Sequence, residues 1–224
     1  MTDIFHEVQD DLRRERMKAL WDRFGWLVVS VAVLIVVGVG GWRGYEYYQG
    51  QQAQAAGDRY QAASRLAADG KTDEARAAFA SLAAEGPKGY QALARLREAD
   101  VATMKDPAGA LKIYEGVAND GGVDSLLRDA ARVRGAYIAV DHAAAADVRR
   151  LVEPLAVDAS PWRHTARELI GLAAYKANDA VEARRQFEAI VADAEAPAGA
   201  RQRADLMLAV LPPAPPAPAA KAAK

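Results

Sequence analysis

The 224-residue chain contains no cysteine, which excludes disulfides, thiolate zinc sites, iron–sulfur clusters and a cysteine nucleophile. Histidine is scarce as well. His6, His142 and His164 lie in separate segments, and no two of them stand at helical spacing in the manner of a metal site. Serines are few, and no nucleophile elbow, phosphate loop or dinucleotide fingerprint occurs. Neither sign of charge is in excess, with 30 acidic against 29 basic side chains, so there is no global positive field to collect nucleic acid. Alternating runs of β-branched residues are missing after Gln51, where alanine dominates, and this favours helix over sheet. The expectation is an all-α protein that binds rather than catalyses, with no cofactor and no metal. The carboxylate pairs Asp10 and Asp11, and Glu98 and Asp100, read as solvated charge on polar faces, and His142 beside Asp141 reads as a surface residue near a helix end.

Long apolar runs are missing too, with one exception. From Trp26 to Trp42 the chain reads WLVVSVAVLIVVGVGGW, uncharged and with Ser30 as its only hydroxyl. At a rise of about 1.5 Å per residue it spans about 25 Å, and Phe24, Gly25 and Tyr45 extend it towards the thickness of a hydrocarbon core of about 30 Å. Trp21, Phe24 and Trp26 flank one end and Trp42, Tyr45, Tyr47 and Tyr48 the other, as rings of an interfacial belt do. A cleaved signal peptide is the rival reading, with Gly38 and Gly40 before a cut at Gly41, but the stretch preceding the run is long and rich in acidic residues, unlike a short basic n-region. Arg13, Arg14, Arg16, Lys18 and Arg23 precede the run, whereas only Arg43 and the more distant Arg59 follow it, which predicts a cytoplasmic N-terminus. In a bacterium the bulk of the chain then lies in the periplasm. Residues 3–22 read as a helix with a loose apolar stripe of Ile4, Phe5, Val8, Leu12, Ala19 and Leu20. Gly40 and Gly44 stand in a GxxxG spacing at the membrane edge.

Past Gln51 the sequence repeats itself. Gly171, Ala183, Phe187, Ile190 and Pro197 follow an order of small, small, aromatic, aliphatic, proline that resembles the tetratricopeptide repeat, in which small residues let two antiparallel helices cross. Ala63, Ala75, Phe79, Leu82 and Pro87 form a second such unit, with Thr72 as the expected N-cap of its second helix. A third contains Ala110, Tyr114 and Val117 behind the helix start Asp106–Pro107, with Glu98 at the expected small position and Ala99 beside it. In a fourth, Gly135, Asp147 and Leu151 take the marker positions. The markers Ala75, Ala110, Asp147 and Ala183 stand 35, 37 and 36 residues apart, close to the family period of about 34. Ser160–Pro161 and Ala196–Pro197 read as helix starts, Asp179 with Glu182 as a capping box, and Gly121–Gly122 as a turn.

The predicted architecture is therefore an N-terminal single transmembrane helix followed by an α-solenoid of about four tetratricopeptide-type helix pairs with a C-terminal capping helix. Residues 1–24 form a charged cytoplasmic segment, 25–45 the transmembrane helix, 46–211 the repeat domain and 212–224 an extended, disordered Pro/Ala-rich tail. Stacked pairs present their first helices as a groove, and the repeat frame puts Tyr60, Arg95, Arg132, Glu168 and Tyr175 there as candidate protein-binding residues. Asn119 and Asn178 lie outside the first helices, so no carboxylate clamp is expected. The same alanine-lined surface equally suits packing against the N-terminal helix or a second copy of the chain.

The charged opening DIFHEVQDDLRRERMKALWDRFGW, with Arg13-Arg14-Glu15-Arg16 running into Trp21 and Gly25-Trp26, leads into a single anchor and an alanine-rich array. That layout, up to Leu211, resembles the YfgM-like ancillary subunits of the bacterial SecYEG translocon. The resemblance implies an inner-membrane protein with periplasmic repeats, lying beside the translocon and handing emerging chains to periplasmic chaperones. It carries over no catalytic residues, and the proline-rich tail is not part of the pattern. The alternative is a tetratricopeptide scaffold for cell-envelope assembly or cell-division machinery.

Overall fold

A computed structural model describes residues 3–213, apart from the side chains of residues 3–17, 19, 20 and 28. The apolar stripe expected at Ile4, Phe5, Val8, Leu12, Ala19 and Leu20, and the Pro/Ala tail beyond Pro213, lie outside the described residues. Among the described residues the chain forms nine α-helices and one 3₁₀ turn. They are α1 (Asp3–Ala68), α2 (Thr72–Glu85), α3 (Lys88–Ala102), α4 (Pro107–Ala118), α5 (Ser125–His142), α6 (Ala145–Val152), the 3₁₀ turn Glu153–Leu155, α7 (Arg163–Lys176), α8 (Ala180–Ala192) and α9 (Ala198–Val210). Two compact units divide between Ala55 and Ala56.

The first unit is helical from Asp3 on, and its apolar run is the one stretch among the described residues long and apolar enough to cross a membrane. Its side chains are uncovered, with Trp26 69%, Val36 71% and Trp42 72% exposed, far more contiguous apolar surface than water tolerates. The Ser30 hydroxyl donates to the Trp26 carbonyl at 2.8 Å, so the single polar side chain of the run is satisfied inside its own helix. Past Trp42 side chains pair with one another: Arg43 meets Glu46 at 3.2 Å and Gln49 donates to the Tyr45 hydroxyl at 2.6 Å.

The second unit is a stack of helix pairs. Each helix packs on the next in sequence from α2 to α9, and α5 also packs on α7, and α7 on α9, so that alternate helices form one layer. The last turns of α1, from Ala56 on, enter the first pair, where Ala56 and Ala63 share a core with Ala75, Phe79 and Leu82 of α2. In the fourth pair Ala183, Phe187 and Ile190 of α8 are fully buried. A methyl group added to Gly171 would stand 2.9 Å from the Phe187 ring, so the two helices cross where glycine leaves room for the aromatic. Burial of a ring of this size contributes about 2–3 kcal/mol. α9 covers the end of that core with Ala200, Ala204 and, just beyond it, Leu211.

The third pair corrects the expected frame. Asp147 is only half-buried and pairs with Arg150 at 3.1 Å, while the buried residues at the marker spacing are Val148, Val152 and Leu155, which share a core with Ala136. Gly135 faces the other way: its added methyl would meet Tyr114 of α4 at 3.1 Å. Leu151 is buried in the same core. Neighbouring residues of a helix point about 100° apart, so a frame shifted by one residue selects a different face. With Val148 as the marker the intervals become 35, 38 and 35.

The helix starts also differ in part. Lys71, not Thr72, is the N-cap of α2, and the Thr72 hydroxyl turns to the Gly70 carbonyl at 3.4 Å. Asp106 caps α4 by accepting from the Gly109 amide at 2.9 Å, with Pro107 at the first helical position. Ser160 accepts from the Trp162 amide at 3.1 Å, a local turn that postpones the start of α7 to Arg163. Asp179 accepts from the Glu182 amide at 3.0 Å, but the Glu182 carboxylate is taken by Arg149, Arg185 and Gln186, so only one arm of the capping box forms. The first and fourth pairs turn alike. Gly70 and Asn178 adopt left-handed φ of 77° and 59°, and the amides after them reach back to Leu66 and Ala174 at 2.9 Å, the Schellman closure of a helix end.

Candidate protein-binding surface

α1, α3, α5 and α7 supply the first helix of each pair, and α9 continues the series. The five residues expected on their exposed face meet different fates. Tyr60 turns its ring edge-on to Phe79, centroids 5.5 Å apart, and stands 6.2 Å from Tyr90, so it joins the core of the first pair. Arg95 and Arg132 both reach the C-terminal end of α4, Arg95 through Asp120 at 2.8 Å and Arg132 through the Ala118 carbonyl at 3.2 Å, where a cation suits the helix dipole. The Gly122 amide and Arg95 together hold the Asp120 carboxyl below its ordinary value. Glu168 is buried, both its oxygens engaged by Arg203 of α9 at 2.6 and 2.7 Å. Tyr175 is 42% exposed.

The structure adds residues that the repeat frame did not single out. Arg134 of α5 forms a two-pronged pair with Asp100 of α3 at 3.0 and 2.8 Å, and the Tyr114 hydroxyl donates to the same carboxylate. Burial and the Asp100 charge push the Tyr114 hydroxyl well above its ordinary value. Asp100 is thus a joint between helices rather than solvated charge. Glu98 is half-buried, and burial raises its carboxyl against the pull of Arg76 and Arg95. Tyr137 of α5 is half-exposed and close enough to Glu168 and Arg203 that burial, with the Glu168 charge, raises its hydroxyl. Lys176 of α7 donates to the carbonyls of Val140 and Asp141. Successive first helices are therefore stitched together by charge. A sequence signal for this exists: Asp100 and Arg134 are 34 residues apart and Glu168 and Arg203 are 35, opposite charges one repeat period from each other.

Exposed large apolar side chains are distributed unevenly over the helices of the second unit. Leu93, Leu126, Tyr137, Tyr175, Leu206 and Val210 stand exposed on α3, α5, α7 and α9, whereas α2, α4 and α6 expose none and α8 exposes only Val181 in its first turn.

Among the described residues, the one polar cluster that resembles chemistry is His164 with Asp193. His164 is buried, its Nε2 2.8 Å from Asp193 Oδ2, and Arg163 Nε donates to the same carboxylate at 2.9 Å. Arg163, the Glu195 amide and His164 hold the Asp193 carboxyl well below its usual range. The cluster fastens the start of α7 to the loop before α9. Among the described residues no group of three or more histidines and carboxylates is arranged to hold a metal ion.

Stacked helix pairs with small residues at their crossings define a helical-repeat protein whose first helices form one layer. A family model for the tetratricopeptide repeat-like domain matches residues 18–209, and the chain belongs to that family. The matched segment takes in the apolar run as well as the pairs. No curated protein and no solved structure matches the chain.

Proposed function

We propose that this chain is a membrane-anchored, non-enzymatic adaptor that holds other proteins on the face of its first helices. The observation that carries the reading is the asymmetry of exposed apolar surface, with Tyr137 and Tyr175 at its centre and the second helices almost free of it. Aromatic side chains beside arginine are the residue types that dominate binding at protein interfaces. In this reading residues 25–45 cross the bilayer, residues 1–24 stay in the cytoplasm, residues 46–211 stand in the periplasm of a bacterium, and 212–224 trail as a flexible tail. The uncovered apolar helix and the basic residues before it support that topology. The partners are proteins leaving the Sec translocon, together with its subunits or periplasmic chaperones, a choice supported by the resemblance of the charged opening segment.

Crosslinking from a photoreactive residue placed at Tyr137 or Tyr175 in intact membranes tests the reading, with translocon subunits or newly exported chains as the expected products. Copurification in mild detergent of wall-synthesis or division enzymes without translocon subunits would transfer the protein to the scaffold class. A reporter fused to the C-terminus should be active on the outer side only.

A further inference from the structure

We infer that the outward face of α9 is a self-association surface, on which a second copy of this chain lays its own α9 side by side and in the same direction. The contact is separate from the partner face centred on Tyr137 and Tyr175. α9 is built as a first helix. Arg203 stands 35 residues after Glu168, and on that register Leu206 and Ala209 correspond to Gly171 and Ala174 of α7. In α7 those two residues meet α8, Gly171 against the Phe187 ring and Ala174 in the core that holds Ala183, Phe187 and Ile190. Leu206 and Ala209 therefore sit where the second helix of a fifth pair would cross, and Leu206 is 62% exposed.

Among the described residues no helix lies across that face. α9 ends at Val210, and Pro212 and Pro213, which follow, cannot extend it. Arg184 of α8 holds the Pro212 carbonyl at 2.7 Å, so the exit from α9 is fastened to α8. A terminal helix that only closes a repeat array against water presents a polar outer face. α9 instead presents Leu206 beside the exposed Ala209, with Val210 next to them.

The occupant follows from charge and volume on this face. Successive residues of a helix point about 100° apart, which puts Gln202, Leu206 and Ala209 along the centre, Arg203 and Val210 on one flank and Asp205 on the other. Asp205 is exposed and carries no ion pair among the described residues. Arg203 gives Nε and Nη2 to Glu168, and its side chain is 57% exposed, which leaves Nη1 for a further acceptor. Two α9 helices running in the same direction about a two-fold axis set the Arg203 flank of each against the Asp205 flank of the other. Two ion pairs then close over the apolar centre. An antiparallel pair would set Asp205 against Asp205. At the centre, Leu206 of each copy lies beside the small Ala209 of the other, a large-on-small contact like that of Phe187 on Gly171. One helix pair buries little surface for an association in free solution, but two copies anchored in one membrane, as proposed above, meet at high effective concentration.

The chain has no cysteine, so single introduced cysteines report the contact without background. In proteoliposomes sparsely loaded with the full-length protein, mild oxidation should join Gln202→Cys to its own counterpart, and Ala209→Cys to its own. Both should react about tenfold or more faster than Ala77→Cys on the exposed side of α2. In the Ala209→Cys background, Leu206→Glu should slow the joining about tenfold or more. Asp205→Lys should slow it less, raised salt should also slow it, and Tyr137→Ala should leave it unchanged. Circular dichroism checks the fold of each variant, and Asp205→Lys reads the same loss should Leu206→Glu disturb folding. Joining at 202 and 209 no faster than at 77, or joining indifferent to both Leu206→Glu and Asp205→Lys, overturns the proposal. Joining in a mixture only between a Gln202→Cys copy and an Ala209→Cys copy would show antiparallel helices and overturns the shared direction.

Discussion

The third and fourth helix pairs solve the same packing problem with different side chains. In the fourth, glycine at 171 lets the Phe187 ring lie against the backbone of α7. In the third, Ala136 shares its core with Val148, Val152 and Leu155. A smaller residue on the first helix goes with a larger one on the second, so the summed volume at the crossing changes less than either residue does, which is the quantity a close-packed core constrains. The turns differ as well: Asn178 in left-handed conformation closes α7, whereas α5 passes into α6 through extended Ala143 and Ala144. The repeat is conserved as geometry, and its residue markers are only one way of achieving that geometry.

The largest effect expected from this contrast is at Phe187. Phe187→Ala removes a fully buried ring and should cost about 3–5 kcal/mol, against about 1–2 kcal/mol for Val152→Ala in the third pair. Because each pair contacts only its neighbours, the loss should be local. Hydrogen exchange on the full chain in micelles should show faster exchange across α7–α9 in Phe187→Ala, with α2 and α3 unchanged; uniform acceleration would mean that the pairs do not behave as separable units.

Next in size is the exchange of volumes itself. Gly171→Ala places a methyl 2.9 to 3.1 Å from three ring atoms of Phe187. Overpacking of about 1–3 kcal/mol, less about 1 kcal/mol from alanine's better helix propensity, leaves a net loss of up to about 2 kcal/mol. Gly135→Ala has one tight contact, with Tyr114 Cβ at 3.1 Å, and should cost less. Pairing Gly171→Ala with Phe187→Leu imports the third pair's solution, and the double variant should be destabilised by about 1 kcal/mol less than the sum of the singles. Strict additivity in denaturant titrations would break the argument from complementary volumes.

Much of this fold was legible in the sequence because its signals were redundant. The apolar run needed no frame, and the first and fourth pairs carry an aromatic at the marker position and a left-handed residue in the turn. The third pair lacks both, and two adjacent small residues, Gly135 and Ala136, each fit the first marker. The surface was harder to read, because whether a first-helix residue faces outward or the neighbouring helix depends on rotation about the helix axis. Arg95 and Arg132 lie on the edge that meets α4, while Arg134 and Tyr137, two and five positions after Arg132, lie on the exposed face. Opposite charges one period apart, Asp100 with Arg134 and Glu168 with Arg203, carry that rotation in the sequence, since such residues can meet only if both lie on facing sides of neighbouring first helices.

The smallest effect expected is in the pH dependence of the junction between the two pairs. Glu182 joins α8 to α6, and its carboxyl is held down to about 2 from 4.5 by Arg185, Gln186 and Arg149. A carboxyl with a depressed folded value contributes stability that is fully present above its unfolded value and is lost as pH falls towards the folded one. The contribution from Glu182 should therefore be intact above pH 4.5 and decline between 4.5 and 2. Glu182→Gln should remove that decline while leaving the melting temperature near neutral pH somewhat lower than in the native chain. Asp193 titrates in the same direction and fastens α7 to the loop before α9, so Asp193→Asn provides the comparison. Acid should loosen the contact between the third and fourth pairs through Glu182 and the contact between the fourth pair and α9 through Asp193. Residue-resolved exchange at low pH separates the two, and loss of protection in α2 and α3 at the same pH would show that the acid response is global and not located at these joints.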